Sequence, residues 1–376
     1  MEFKIIKKLN QKISPIITLG ATWLIVQSFL IWHNGIVTAF EAEKYITEAQ
    51  YFLQYGKFTS NNFWLYSTQI FLIAIVLKIH LGYVVIVAIQ LLLNLLAAWM
   101  FYQLAFYYLK NSLLAFWATF IYLINITYQF YNSYLFTESI FYSLTIIYSS
   151  YLLRIKKLNT RNIIILFLSL IILSITRPTG ILFFGGTAVY IFFRFLQHLS
   201  FRKKAIIIIS AVIIFLVTIN TMLETGGSLD FMQPFKQENI ICGVNTFHNA
   251  DIQTLEKGNS LEGLIYYIIH NKDQFLRLAR LKTIAFFGFV RNYYSPLHNA
   301  YLIIFFYPFY ILCIPGFIKM YKAKDKATIY LLFIILLYWV TTLLTCDDWH
   351  NRFVLTISPF IFLIGLAAFK SKNSVP

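Results

Sequence analysis

Charge is what this chain has least of. Only 12% of its residues are Asp, Glu, Lys or Arg, against about 25% in an ordinary soluble domain. That scarcity excludes a globular protein with a solvated surface. So do apolar runs that approach or exceed the roughly 20 residues a helix needs to cross a bilayer. Acids are scarcer still, 15 Asp and Glu against 31 Lys and Arg, for a net charge of +16. Cysteine is nearly missing. Cys242, Cys313 and Cys346 show no metal or redox spacing, which argues against a zinc module or a thiol-redox motif. A Cys242–Cys346 bridge is conceivable, but pairing cannot be read from sequence. No cleavable leader is expected, because the first apolar run is too long and more runs follow it. What is abundant is apolar and aromatic: 59% hydrophobic residues, with 38 Phe and 26 Tyr. That composition suits membrane spans with broad aromatic belts at the interfaces.

The expected fold is all-α and polytopic, a single domain over 1–376 with about 10 transmembrane helices. They fall at about 14–37, 83–108, 112–131, 136–153, 162–176, 179–196, 205–222, 297–318, 327–345 and 353–369. Residues 38–82 form a first external loop with interfacial helices, broken by Gly56 and a Ser-Asn-Asn cluster. Residues 223–296 form a second external region, with Gly226-Gly227, Pro234 and an amphipathic run from about 261 to 290. Basic residues collect in cytoplasmic loops, so Lys4, Lys7, Lys8 and Lys12 keep the N-terminus inside. Nineteen of the 31 basic residues, but only Glu2 and Asp325 among the 15 acids, fall in segments assigned to the inside. Those segments carry a net +17 and the remainder −1, which accounts for the whole +16. One orientation explains the charge without nucleic acid, and it leaves 13 of the 15 acids facing outward. Both termini are then cytoplasmic. The residue choice, rich in Ile, Asn, Lys, Tyr and Phe, suggests a bacterial inner membrane.

The carboxylate singled out by this topology is Glu41, just past the first apolar run. Glu41, Lys44, Tyr45 and Glu48 recur at i, i+3, i+4 and i+7 and share one helical face. A carboxylate at the mouth of an apolar bundle can accept a proton from a hydroxyl or hold a divalent cation. It can equally stabilise the start of an interfacial helix, where its charge suits the dipole. Arg177, Arg277, Arg280, Lys282, Arg291 and Arg352 also lie on the expected outer side, and Arg binds phosphate bidentately. For Arg277, Arg280 and Lys282 a solvated or headgroup-facing surface is the plainer reading. Arg352 opens a span beside Asp347, Asp348 and His350. Glu138 sits near the outer end of a span, where a carboxylate faces the bundle interior or a water-filled cavity; Arg177 is its candidate partner. His248, His270, His298 and His350 face outward without metal spacing. Asp347-Asp348 could coordinate a cation with His350, or cap a helix.

The stretch Phe40-Glu41-Ala42-Glu43-Lys44-Tyr45, continuing through Ala49 and Leu53 to Gly56, resembles the first external loop of the GT-C glycosyltransferases. Tyr134-Leu135-Phe136-Thr137-Glu138, Thr176-Arg177-Pro178-Thr179-Gly180 and His350-Asn351-Arg352-Phe353 with Pro359 are similar to later segments of that superfamily, in the same order. It includes protein O-mannosyltransferases and lipid A aminoarabinose transferases. Two departures stand out: the superfamily's acid is usually Asp where this chain has Glu41, and Ser67-Thr68 stands where a Pro is common. The resemblance implies a polyprenyl-phosphate sugar as donor and a lipid, glycan or protein as acceptor. It implies Glu41 as base in an inverting displacement, with Tyr45, Glu138, Arg177, Arg291, His350 and Arg352 binding substrate. No metal cage is evident in the sequence, so metal-independent chemistry is expected, with a divalent cation as the alternative. Two rivals remain: a transporter or flippase of lipid-linked saccharides, which should show mid-span polar groups and broken helices, and a non-catalytic membrane assembly protein.

Overall fold

The computed structural model describes residues 2–197, 199–200, 202–204, 206, 209–210, 213, 216–217, 220, 232–244, 252–255 and 258–371, with side chains from Pro15 onward. Among these, regular structure is helical, and the only β-type pairings are the isolated bridges Val37–Tyr134 and Ile241–Asp347. Among the described residues six helices are long and apolar enough to cross a membrane: Pro15–Asn34, Val84–Leu109, Pro178–Phe195, Pro296–Lys322, Lys326–Leu344 and Trp349–Phe369. A seventh span is completed if Ser112–Ile124 and Ile126–Ser133, bent by 60° at Asn125, act as one. The chain is thus an all-α, multi-pass membrane protein, and its described residues show six or seven spans against the expected count of about 10.

The shortfall has physical causes. Helix Thr137–Arg154 has 18 residues, yet Ser and Thr lower its hydropathy. Thr137, Ser139, Ser143, Thr145, Ser149 and Ser150 are all buried, so this helix packs inside a bundle instead of facing lipid. Helix Thr160–Thr176 has 17 residues, fewer than the roughly 20 of a typical crossing. The expected span 205–222 falls largely outside the described residues, as do Gly226-Gly227 and His248.

The chain divides into two units. The first comprises residues 1–187, 309–328 and 358–376. In it, Val84–Leu109 packs on Thr137–Arg154 and on Ser112–Ile124, and Glu41–Tyr55 lies on Ser67–Lys78. Asn111 caps Ser112–Ile124 by accepting from the N–H groups of Leu113 and Leu114 at 2.9 and 3.1 Å, as expected of Asn at a helix start. Gly56 ends Glu41–Tyr55 in the left-handed region at φ 68°, where glycine carries no Cβ penalty. Gly180 lets the turn after Arg177 fold back, since a Cβ there would meet the Leu173 carbonyl oxygen at 2.2 Å.

The second unit comprises residues 188–308 and 329–357. Much of the expected external region is folded there. Met232–Lys236, Leu261–His270 and Lys272–Gly288 pack around Met232, Phe235, Tyr267 and Leu278. The amphipathic run is two helices, parted at Asn271. Cys242 and Cys346 are joined by a disulfide. Beside it the backbone N–H of Cys242 donates to the Asp347 carbonyl at 2.9 Å, and that of Asp347 to the Ile240 carbonyl at 2.8 Å.

Candidate functional site

In the first unit the loop expected to lie outside is stitched down before the helix carrying Glu41 begins. The Val37 N–H donates to the Ser133 carbonyl at 2.9 Å, and the Leu135 N–H donates to the Val37 carbonyl at 3.1 Å. The Gln90 amide donates to the Tyr134 carbonyl at 2.8 Å. These bonds set the segment leading to Glu41 beside the segment leading to Glu138. Phe40, immediately before Glu41, has φ 59°, a costly conformation for an aromatic residue. It is 78% exposed, so burial of its own ring does not hold it there.

Glu41 opens its helix, and its Oε1 accepts from the Tyr45 hydroxyl at 2.7 Å and from Lys44 Nζ at 2.9 Å. The carboxylate side chain is 20% exposed and Lys44 43%. Lys44 also lies 4.8 and 4.9 Å from the ring centres of Tyr45 and Tyr66, a cation–π arrangement that fixes its direction. Burial raises the Tyr45 hydroxyl well above its ordinary value, and the charges of Glu41 and Glu138 push the same way, with Arg177 opposing. Tyr45 therefore stays protonated and donating. Glu41, Tyr45, Glu138 and Arg177 share one electrostatic neighbourhood.

Glu138 stands in the first turn of Thr137–Arg154, where its charge suits the helix dipole. It is sealed, with no exposed side-chain surface, and pairs with Arg177, itself 9% exposed. The Arg177 guanidinium also lies 6.0 Å from the Phe141 ring centre. Glu48, on the expected face with Glu41, is committed elsewhere: its two carboxylate oxygens accept from the Thr59 N–H at 2.6 Å and the Thr59 hydroxyl at 2.7 Å. That clamp closes the turn between Glu41–Tyr55 and Ser67–Lys78. Nothing in the local spacing announced it.

In the second unit Asp347 pairs with Arg291, and both are buried. Arg291 further donates to the carbonyls of Ala285 and Val290 at 2.8 and 3.2 Å. Burial pushes the Asp347 carboxyl up to about 7 from 3.8, with Arg291 as the chief opposing charge. Asp348 caps the following turn, accepting from the Trp349 N–H at 2.8 Å. His350 is exposed, within 3.5 Å of the Tyr294 hydroxyl. Arg352, 9% exposed, begins the last long helix. Lys282 departs from the surface expected for it: it is fully buried, and its ammonium donates to the carbonyls of Leu343 and Thr345 at the end of Lys326–Leu344. Burial lowers it to about 7. Arg277 pairs with Glu238.

Glu41, Tyr45, Glu138 and Arg177 thus gather in one unit, and Arg291, His350 and Arg352 lie with Asp347 in the other. Among the described residues no group of three or more His, Cys, Asp or Glu is arranged to hold a metal ion. An apolar groove of about 100 Å³, lined by Leu19, Trp23 and Trp99 among others, carries no carboxylate or cation on its walls, and it plays no part in this chemistry. No family model, curated protein or solved structure matches this chain.

Proposed function

We propose that this chain is a GT-C-type glycosyltransferase, moving a sugar from a polyprenyl-phosphate donor to a lipid, glycan or protein acceptor at the extracytoplasmic face of a bacterial inner membrane. The observation that carries this reading is the state of Glu41. It is the partly exposed carboxylate of its cluster, aimed by Tyr45 and Lys44 on a loop pinned at Val37. A base must reach the proton it removes, and Glu138 and Asp347 are sealed. Glu41 removes the acceptor's hydroxyl proton as the oxygen attacks the anomeric carbon. The carrier phosphate leaves in the same step, and the centre inverts.

The Cys242–Cys346 bridge supports the orientation. Disulfides persist in oxidising compartments, which supports a 345–351 loop outside and a cytoplasmic C-terminus. Transfer assays in membranes with a radiolabelled polyprenyl-phosphate sugar test the reading. Glu41→Gln should lose transfer while the protein accumulates normally.

One observation favours the flippase rival. Gln27, Gln129, Asn132 and Ser139 form a buried polar network beside the bend at Asn125, with bonds of 2.9, 3.2, 3.1 and 2.6 Å. Broken helices with mid-span polar groups are what a transporter uses. These amides satisfy one another, however, and no charged side chain joins them in those bonds. Donor-independent movement of a fluorescent lipid-linked sugar across proteoliposomes would favour the rival.

A further inference from the structure

Of the three cations grouped on helix Lys272–Gly288, Arg277 is paired with Glu238 and Lys282 is buried against two carbonyls. Arg280 is left over. It is exposed, and it makes no hydrogen bond or ion pair among the described residues. Leu276 and Ile284 stand four residues to either side of it, on the same helical stripe, and they are 54% and 58% exposed. Exposed aliphatics on a membrane span face lipid. This helix is not one of the spans, and its 17 residues include Lys272, Asp273, Arg277, Arg280 and Lys282. A helix facing water would carry polar residues along that stripe.

The last turns of the helix are fixed to two spans of the same unit, below their ends. The Thr283 hydroxyl accepts from the Trp339 indole at 3.1 Å, and the Phe287 and Trp339 ring centres are 6.3 Å apart. Trp339 stands about 7.5 Å of helix rise inside the end of Lys326–Leu344. The Gly288 carbonyl accepts from the Tyr307 hydroxyl at 3.0 Å, and the Phe289 ring is stacked on Phe306 at 3.9 Å. Those two partners lie about three turns into Pro296–Lys322. Higher up, Lys282 reaches the carbonyls of Leu343 and Thr345, where its span ends. The helix therefore descends beside the spans as the chain runs from Lys272 to Gly288. Ile284 falls within their apolar length. Arg280, about 4.5 Å of rise before Thr283, stands near the level where Lys326–Leu344 ends.

An unpaired guanidinium at the end of a span, with an aliphatic side chain one turn deeper, presents charge and hydrocarbon in the order in which a phospholipid carries them. We propose that Leu276, Arg280 and Ile284 form a docking surface for an anionic phospholipid in the leaflet at this end of the spans. Arg280 holds the headgroup phosphate through its planar fork of donors. Ile284 packs on the acyl chain beneath, and Leu276 rests in the interface. Lys272, exposed on the same helix, adds to the attraction of a negatively charged leaflet, and Asp273 beside it subtracts. The surface stands apart from the transfer chemistry and does not depend on it.

The test is native mass spectrometry of the full chain in detergent, titrated with phosphatidylglycerol and with phosphatidylcholine of the same acyl chains. Phosphatidylglycerol should bind more tightly, with a preference that shrinks at high salt. Arg280→Ala should weaken phosphatidylglycerol roughly fivefold, the size of one cation beside an anionic leaflet, and bring it close to phosphatidylcholine. Its lipid-free melting temperature should match wild type, since Arg280 has no partner to lose among the described residues. Arg280→Lys should keep most of the preference, and Ile284→Ser should weaken both lipids alike. An equal preference in wild type and Arg280→Ala, or no preference in wild type, overturns the site. So does an Arg280→Ala that weakens a polyprenyl phosphate while leaving phosphatidylglycerol untouched, which would give the surface to the carrier lipid. Depth is read separately, with bimane on Ile284→Cys in a Cys313→Ser background in nanodiscs. Quenching by nitroxide-labelled lipid is expected. Quenching by aqueous iodide alone, or by neither agent, would turn the stripe towards water or a protein partner and overturn the docking.

Discussion

Glu41 and Glu138 begin from the same local chemistry and end in opposite states. Each stands in the first turn of a helix, and each pairs with a cation. Glu138 and Arg177 are shut away, whereas Glu41 and Lys44 keep 20% and 43% of their side chains open. A sealed pair holds structure, because neither charge can leave its partner without remaining buried. An open pair can exchange its lysine for a substrate hydroxyl at small cost. The Arg291–Asp347 pair repeats the sealed case in the second unit.

The sharpest way to break this contrast is to remove one partner of a sealed pair. Arg177→Ala should cost about 3–5 kcal/mol, since it strands a buried carboxylate, and denaturant unfolding in detergent would show it. Equal stability of Arg177→Ala and wild type would mean that Glu138 is hydrated. Next comes the cross-link: Cys346→Ser should cost about 2–5 kcal/mol and shift melting under non-reducing conditions, with no further loss on adding reductant.

Asp347 adds a pH dependence to the contrast. The folded Asp347 carboxyl is raised to about 7 from 3.8 by burial. A raised acid contributes stability that is fully present below its unfolded value and is lost as pH climbs through its folded value. Wild type should therefore gain stability relative to Asp347→Asn as pH falls from 8 to 5. A gain with rising pH would show that the Arg291 charge outweighs burial. Smallest is the open pair: Lys44→Ala should change stability by about 1 kcal/mol or less, measured by the same unfolding curves.

How far these states could be read from sequence depends on distance along the chain. The face shared by Glu41, Lys44 and Tyr45 was legible, because i, i+3 and i+4 are neighbours on any helix. The partner of Glu48 was not, because Thr59 reaches it across a turn. Arg177 opposite Glu138 was one candidate pairing among others, while Arg291 opposite Asp347 depends on a fold that joins residues 56 apart. Span counting failed where composition and environment separate. Thr137–Arg154 buries its hydroxyls against neighbouring helices, and no apolar run records that. The left-handed backbone at Phe289, His350 and Asn351 is likewise invisible, since none of these is the glycine that would have marked it.

The most direct trial of the account joins activity to stability in one variant. Glu41→Gln keeps the shape of an open side chain and removes its basicity. It should lower sugar transfer by roughly 10²–10⁴-fold, the range for a positioned proton acceptor, while unfolding within about 0.5 kcal/mol of wild type. Undiminished transfer would remove Glu41 as the base. A collapse in stability to match Arg177→Ala would show that Glu41 is a structural charge like the ones it has been contrasted with.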